Sequence, residues 1–350
     1  MANGETLAEA ILMRKVGKMI RKDAIGVRIS TAIIFGVLIM SAIQTTASEK
    51  SEGKWEVILC NPLLHQLDME STWAAAKAVG VRGIEITVDP DLSCSRLFVG
   101  SETPYRLDTP ENARKIRQDA QAQGLTTPVL CAPIQLEPSK EKSAAPAWAK
   151  KLIEIAPHAG ATLIYFPVVT DNFTKPTIQD DVFVEAAIAM LKELVAHGRK
   201  HGVTITIENL SVYWNRPEIT RQVLKVFKPD EFGLCLDPTN MYWFGHPRTQ
   251  IYEIVRELVP RARHFHAKNV AHPEEKREAV RPPGWEYGKN SVPVAEGDLD
   301  FGKILIMLRE AGYNGCVSIE DDSLGHYPKE QRVEILRQDV QYLRNIIEHL

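Results

Sequence analysis

The chain has 350 residues, of which 44% are hydrophobic and 25% charged, and its formal net charge is −3. This is the composition of an ordinary globular protein, and it excludes the collagen-like, low-complexity and fully disordered classes. No strongly basic block follows residue 28, so we do not expect a nucleic-acid partner, which would require a basic stripe.

The N-terminal segment has the three parts of a secretory signal peptide. Residues 1–28 carry six basic and three acidic side chains, and the uncharged stretch 29–48 contains an apolar centre at 32–40. Small residues at 45–47 then provide a cleavage point. We therefore predict a signal peptide over residues 1–47, with export to the periplasm or the medium. The alternative is an uncleaved membrane anchor, although a spanning helix needs about 20 mainly apolar residues.

From residue 48 onwards, short β-branched or aromatic runs alternate with longer amphipathic stretches. The predicted strands are 57–60, 83–88, 127–132, 162–168, 203–208, 232–236, 264–267 and 316–319. The predicted helices include 109–123, 147–156, 181–201, 218–226, 249–259, 301–311 and 329–349. Eight strands joined by crossover helices predict an α/β fold, a (β/α)₈ TIM barrel over residues 48–350. A doubly wound open sheet is the alternative, but residues 60–65 lack its glycine-rich phosphate loop.

Two further features of the sequence bear on the fold. The longest irregular segment, 270–297, is rich in proline, glycine and charge, and is predicted to be a loop over one end of the barrel. The five cysteines are odd in number and include no Cys-x-x-Cys pair, and four of them lie in or beside apolar strands. We therefore expect them to be small buried hydrophobic residues and not a disulfide framework.

Polar side chains collect at the C-terminal ends of the predicted strands. In a TIM barrel these ends converge on one mouth, where such enzymes carry out their chemistry. Glu85, Glu208 and Glu320 lie in or at the ends of otherwise apolar strands, and buried acids are rare unless they are paired or bound to a cation. Three carboxylates at one mouth would repel one another unless a cation lay between them. The other polar residues at these ends are Asn61, His65, Asn209, Asp237, Asn240, His264, His266, Lys268, Asp321 and Asp322.

The residue types at the strand ends indicate the kind of cation. Two glutamates, one aspartate and one imidazole form a hard site of oxygen and nitrogen ligands, without thiolates. Such ligands suit Mn²⁺, Mg²⁺ or Zn²⁺, with Co²⁺ and Fe²⁺ as further candidates. We therefore expect a divalent metal cofactor, with Mn²⁺ as the first candidate.

Five short motifs contain most of these polar residues. In chain order they are Gly83-Ile84-Glu85, Ile207-Glu208-Asn209, Leu236-Asp237-Pro238-Thr239-Asn240, His264-Phe265-His266-Ala267-Lys268, and the segment from Gly297-Asp298 to Ser318-Ile319-Glu320. Together they resemble the sugar isomerase/epimerase superfamily of xylose-isomerase-like TIM barrels. The resemblance runs from about Trp55 to the C-terminus. In ketose 3-epimerases of that superfamily, a Glu, an Asp, a His and a second Glu hold the metal. The resemblance implies that the metal ligands here are Glu208, Asp237, His266 and Glu320.

The resemblance also implies a metal-dependent sugar isomerase or epimerase that works through an enediolate. Glu208 and Glu320 would be the catalytic base and acid, acting on opposite faces of the sugar. A β-eliminating lyase on 3-keto-glycosides stays an alternative, because elimination can proceed from the same carbanion. A non-catalytic carbohydrate-binding protein is a further alternative, although a binder has no need of two opposed carboxylates around a metal.

The candidate substrate-binding residues are Glu85, His65, Asn240, Lys268 and Trp214. Trp214 belongs to a group of loop aromatics that could stack on sugar rings, and Lys268 faces the same side of its strand as His266. Asn240 stands where many relatives have histidine. The predicted export favours a free or oxidised sugar as the small-molecule partner, with no membrane contact after processing. Relatives often form dimers or tetramers, which leaves a homo-oligomer open.

Overall fold

The computed structural model describes residues 55–137 and 144–350. Eight parallel strands close into one barrel in which each strand pairs with its neighbours in the chain and the first pairs with the last. The strands are β1 Val57–Cys60, β2 Gly83–Thr87, β3 Thr126–Cys131, β4 Leu163–Phe166, β5 Thr204–Glu208, β6 Phe232–Leu236, β7 Ala262–Ala267 and β8 Val317–Ile319. The predicted TIM barrel is therefore confirmed, and the open sheet is excluded. The predicted signal peptide or anchor over residues 1–47 lies outside the described residues.

One helix on the outside of the barrel follows each strand. These helices are α1 Thr72–Val79, α2 Pro110–Ala122, α3 Ala147–Ala159, α4 Asp180–His201, α5 Pro217–Leu224, α6 Arg248–Leu258, α7 Phe301–Glu310 and α8 Lys329–Glu348. Helix α4 shows how they pack: Phe183, Ala187, Leu191 and Leu194 recur at helical spacing and are buried. Within the described ranges, no helix is both long enough and apolar enough to cross a bilayer.

The strands are buried on both faces, but the two faces differ in composition. Outward-facing residues such as Val57 and Leu59 join the main apolar core beneath the helices. Inward-facing Ile58, Val129 and Leu163 belong to a separate small cluster inside the barrel. Polar groups occupy the inward positions nearer the C-terminal ends of the strands, so the barrel interior becomes polar towards the mouth.

Additional short elements form the rim of the mouth. The predicted loop 270–297 contains two short α-helices, Glu274–Arg277 and Tyr287–Asn290, and one 3₁₀ turn, Val294–Glu296. It is closed by an antiparallel pair of two-residue strands, Asn269–Val270 and Ser291–Val292. The segment therefore has more regular structure than its composition indicates. Further short helices after strands are Asn61–His65, Ser211–Trp214 and Pro238–Phe244.

Candidate functional site

Four side chains from four consecutive strands of the barrel converge at its mouth. Glu208 ends β5, Asp237 follows β6, His266 lies in β7 and Glu320 follows β8. One potential ligand atom from each residue lies within 4.8 Å of the corresponding atoms of the other three. Asp237, His266 and Glu208 are buried, whereas the side chain of Glu320 is 32% exposed. The structure thus brings together the four residues that the sequence predicts as metal ligands.

The donor atoms of this group fit a divalent metal ion. His266 Nδ1 and Asp237 Oδ2 are buried and make no hydrogen bond within the described part of the chain, although Asp237 Oδ2 forms an ion pair with Lys268 Nζ at 3.0 Å. His266 Nδ1 lies 3.5 Å from Glu208 Oε1 and 3.3 Å from Glu320 Oε2. Buried polar atoms normally have a partner, and a cation coordinated by carboxylates and imidazole would supply one.

Asp237 is held in place by the helix that it begins. Its Oδ1 accepts hydrogen bonds from the backbone N–H groups of Thr239 and Asn240, at 2.8 and 3.1 Å, and so caps the helix Pro238–Phe244. This capping uses one carboxylate oxygen and leaves Oδ2 for the ion pair with Lys268 and for a metal ion. Asn240 Nδ2 donates in turn to Glu208 Oε1 at 2.8 Å. Asn240, predicted to bind substrate, therefore orients one of the candidate metal ligands.

Glu85 lies beneath His266 and is almost completely buried. His264 Nε2 and His266 Nε2 donate to Glu85 Oε2 at 2.7 and 3.2 Å. Tyr165 Oη and Cys60 Sγ donate to Oε1 at 2.5 and 3.1 Å. Burial acts to raise the pKa of Glu85, but the two imidazoles outweigh it and hold the pKa well below its usual value. Because both oxygens are engaged within the protein, we reinterpret Glu85 as a positioning residue that turns Nδ1 of His266 towards the carboxylates.

Lys268 links three acidic residues of the mouth. Its Nζ donates to Glu320 Oε2 at 2.6 Å and lies 3.0 Å from Asp237 Oδ2 and 3.7 Å from Asp322 Oδ2. Burial acts to lower the pKa of Lys268, but Asp237 and Glu320 outweigh it and raise the pKa well above its usual value. Burial likewise acts to raise the pKa of Glu320, but Lys268 and His266 bring it to about 2. For Asp237, burial prevails and raises the pKa to about 6. Lys268 is therefore a charged hydrogen-bond donor and not a nucleophile.

A cavity of about 280 Å³ opens at the mouth beside Glu208 and Glu320, two of the four candidate ligands. This volume is near the lower end of the range for ligand pockets, roughly 300–1,000 Å³, and suits a small molecule. Arg96 and Phe173 line the cavity but carry no signal in the sequence, because they come from loops without a recognisable pattern and are both exposed. The lining residues are Cys60, Pro62, Glu85, Thr87, Arg96, Cys131, Pro133, Tyr165, Pro167, Val169, Phe173, Glu208, Leu210 and Glu320.

Two predicted substrate-binding residues are placed elsewhere. Trp214 is only 1% exposed, because its Nε1–H donates to Val168 O at 2.7 Å and its ring packs edge-on against Phe183. It cannot offer a face for a sugar ring, so that prediction is wrong. His65 is exposed and packs edge-on against Phe98, and it is not among the residues that line the cavity.

Comparisons with known proteins give a family and a shared fold. A family model described as xylose isomerase-like TIM barrel matches residues 73–346. Two uncharacterised proteins of Methanocaldococcus jannaschii are 21% and 26% identical, over 173 and 154 residues that cover 48% and 41% of this chain. The matches cover 52% and 48% of those proteins, so the chain spans about half the length of the curated relatives it matches.

Three solved structures illustrate the structural similarity. The IOLI protein with a binding zinc atom has a TM-score of 0.60 at 15% identity, over 84% of this chain and 98% of that one. A xylose isomerase-like TIM barrel protein from Mycobacterium smegmatis in complex with magnesium has a TM-score of 0.56 at 17% identity, over 82% and 98%. The 3-keto-D-glucoside 4-epimerase of E. coli has a TM-score of 0.58 at 15% identity, over 83% and 100%. At these identities the similarity concerns the fold.

Proposed function

This chain belongs to the xylose isomerase-like TIM barrel family, and from that premise we propose that it is a divalent-metal-dependent sugar isomerase or epimerase. The observation that carries the proposal is the group formed by Glu208, Asp237, His266 and Glu320, with ligand atoms within 4.8 Å of one another. Solved neighbours with magnesium and with zinc support a divalent ion. The ligand types suit Mn²⁺, Mg²⁺ and Zn²⁺ alike, and we take Mn²⁺ as the first candidate to test.

The proposed chemistry divides the work between a metal ion and two carboxylates. A divalent ion in this group would polarise a sugar carbonyl and its neighbouring hydroxyl, which acidifies the adjacent C–H bond. Glu208 and Glu320 carry the proton, one as base and the other as acid. Asn240 orients Glu208, and Lys268 keeps Glu320 ionised. Delivery of a proton by the acid to the opposite face of the same carbon gives epimerisation, and delivery of a proton to the neighbouring carbon gives isomerisation, both through an enediolate.

We propose a free or oxidised sugar as the substrate. The cavity suits a small molecule, and Arg96 lines it without a hydrogen bond or ion pair to any residue in the described ranges. An acidic group on an oxidised sugar would pair with this guanidinium. The 3-keto-D-glucoside 4-epimerase among the neighbours supports oxidised glycosides as a class to test. That same neighbour keeps a β-eliminating lyase on 3-keto-glycosides as the second candidate, because the carbanion is shared.

Hydrogen exchange tests this proposal directly. The purified protein is stripped of metal, given Mn²⁺ and incubated in D₂O with ketoses, aldoses, sugar acids and 3-keto-glycosides. We expect metal-dependent deuterium incorporation at the carbon next to the carbonyl, seen by proton NMR, and the product distinguishes epimerase, isomerase and lyase. E208Q and E320Q should each abolish the exchange, whereas E310Q, on the outer helix α7, should not. Tight metal binding without exchange on any sugar would instead indicate a carbohydrate-binding protein.

A further inference from the structure

A second group of metal-ligating side chains lies on the outer helices. Glu154 lies on α3, and His197 and His201 lie on α4. One potential ligand atom from each lies within 4.8 Å of those of the other two. The candidate ligands at the mouth all lie in or directly after barrel strands, so the two groups share no residue and no element.

The arrangement of the three side chains is fixed by the packing of α3 against α4. His197 and His201 are four residues apart, which places them on one face of the helix, and their ring centroids are 4.8 Å apart. His197 Nε2 lies 2.9 Å from Glu154 Oε1. One turn earlier, Lys150 Nζ donates to Glu193 Oε2 at 2.6 Å, and this second pair keeps the helices in register.

An ordinary ion pair accounts for only part of this group. It explains the contact between Glu154 and His197, but His201 Nε2 is buried without a hydrogen-bond partner in the described chain. A buried imidazole nitrogen without a partner is unfavourable. A metal ion bound by this nitrogen together with His197 and Glu154 would satisfy it.

The donor set and its spacing suit zinc. Zn–N bonds of about 2.0 Å in a tetrahedron place ligand atoms roughly 3.3 Å apart, so small side-chain rotations would bring the three atoms to bonding positions. Two imidazoles favour Zn²⁺ over Mg²⁺ or Ca²⁺, which prefer oxygen ligands. The Glu154 side chain is 49% exposed and that of His197 is 20% exposed, which leaves water access for a fourth ligand. We propose that Glu154, His197 and His201 form a second site, for Zn²⁺ or a similar transition metal ion, that ties α3 to α4.

Zinc stoichiometry tests the proposal. The full chain is stripped of metal and dialysed against Zn²⁺, and the bound metal is counted by elemental analysis. We expect H197Q and H201Q each to bind one equivalent fewer than the unaltered chain. The matched control E193Q breaks the neighbouring ion pair without removing a ligand and should bind the unaltered number. Equal stoichiometry in H197Q, H201Q and the unaltered chain would overturn the proposal.

A second measurement covers the case in which a histidine variant fails to fold. Glu154 is exposed, so E154Q should fold normally, and we expect it to weaken zinc binding at this site at least tenfold. In a D237N background, which removes one ligand at the mouth, Zn²⁺ should still raise the melting temperature. It should raise it much less in D237N/E154Q. An unchanged affinity in E154Q, together with an unchanged zinc-induced shift, would show that these side chains form only a surface ion pair.

Discussion

His266 is the residue on which the candidate site depends most. Its Nε2 donates to Glu85, and its Nδ1 faces Glu208 and Glu320. Burial acts to lower the pKa of His266, but Cys235, Glu85 and Glu320 together outweigh it and raise the pKa well above its usual value. The imidazole must lose a proton to bind metal, so metal binding should release protons and weaken as the pH falls.

We predict that E85Q weakens metal binding by about 10- to 100-fold, the usual effect of losing the partner of a ligating histidine. In the unaltered chain, one charged oxygen of Glu85 accepts hydrogen bonds from both imidazoles. The neutral glutamine amide holds the two N–H groups less strongly, so His266 loses its orientation. Calorimetric titration with Mn²⁺ measures the change. Y165F is the control, because it removes a hydrogen bond to the other oxygen of Glu85 and should cost much less. Wild-type affinity in E85Q would contradict the assigned role.

Arg96 gives a prediction about substrate choice that depends on the proposed function. R96Q should raise KM at least tenfold for sugars that carry a carboxylate, because the guanidinium would pair with that group. The kcat should change little, and neutral sugars should be unaffected. Steady-state kinetics on an acidic and a neutral sugar separate these effects. A loss of equal size for both would show that Arg96 does not select charge.

The site residues differ in how well their roles can be predicted from the sequence. Glu208 and Glu320 interrupt or end apolar strands, so their burial near a cation follows from elementary energetics. The role of Glu85 was less visible, because its partners His264 and His266 come from a strand far along the chain. The sequence does not fix the direction of Trp214, because an aromatic residue after a strand can point to the mouth or to the core, and here the ring packs against Phe183 in the core.

At the scale of elements, the short helix Pro238–Phe244 connects the fold to the site. It begins at Asp237 and ends at Gly245, whose φ of +111° lies in the left-handed region. A Cβ atom at Gly245 would overlap the backbone oxygen of Arg281. Both the conformation and the space at this position therefore require glycine.

We predict that G245A lowers the free energy of unfolding by about 3–5 kcal/mol, because a backbone must move to admit the methyl group. G312A is the matched control: its φ is +73°, but no atom lies within 4 Å of the added Cβ. It should lower the free energy of unfolding by only about 1–2 kcal/mol, which is the cost of holding an alanine in the left-handed backbone conformation. Urea unfolding of both variants measures the difference, and equal losses would show that the contact with Arg281 relaxes freely.

The loop 270–297 contains a group whose charge depends on pH. His272 is buried in contact with the rings of Tyr242 and Trp285. Burial, aided by Arg281, lowers its pKa from 6.5 to about 4. Between these values the unfolded chain binds the proton more readily, so this contribution to stability is full above pH 6.5 and is lost as the pH falls towards 4.

We therefore predict that H272Q has a flatter dependence of unfolding free energy on pH between 6.5 and 4 than the unaltered chain. Urea titrations at several pH values measure the slope. H349Q, at the exposed end of α8, is the control and should keep the original slope. An unchanged slope in H272Q would mean that the imidazole of His272 in the unaltered chain has the same pKa in the folded and the unfolded state.

The strand boundaries show where sequence patterns stop being sufficient. The apolar run 162–168 predicts one strand, but β4 ends at Phe166. Pro167 has no N–H to continue the ladder, and Val168–Val169 pairs instead with Ile134–Gln135. Strand β7 begins at Ala262, two residues before the predicted start at His264. The partly exposed, charged Arg263 interrupts the apolar pattern from which the prediction was made, but it does not interrupt the strand. Tertiary hydrogen bonds, which a local pattern does not contain, decide both cases.

At the scale of the whole molecule, the N-terminal segment predicts where the protein is found. We predict that a bacterium expressing the full chain exports it and removes residues 1–47. Cell fractionation followed by intact-mass measurement should find a chain that begins at Ser48 in the periplasm or the medium. A full-length chain in the membrane fraction would support the anchor, and one in the cytoplasm would contradict both alternatives.

The contact between Glu85 and the two histidines has a consequence for the order of folding. Glu85 lies on β2, and its partners on β7 follow it by 179 and 181 residues. A growing chain therefore exposes this carboxylate long before the imidazoles exist, and burying it alone would carry a large desolvation cost. Contacts of such long sequence separation form slowly. We expect a fragment that stops before β7 to remain open and protease-sensitive, so that closure of the barrel and assembly of its mouth occur as one late event.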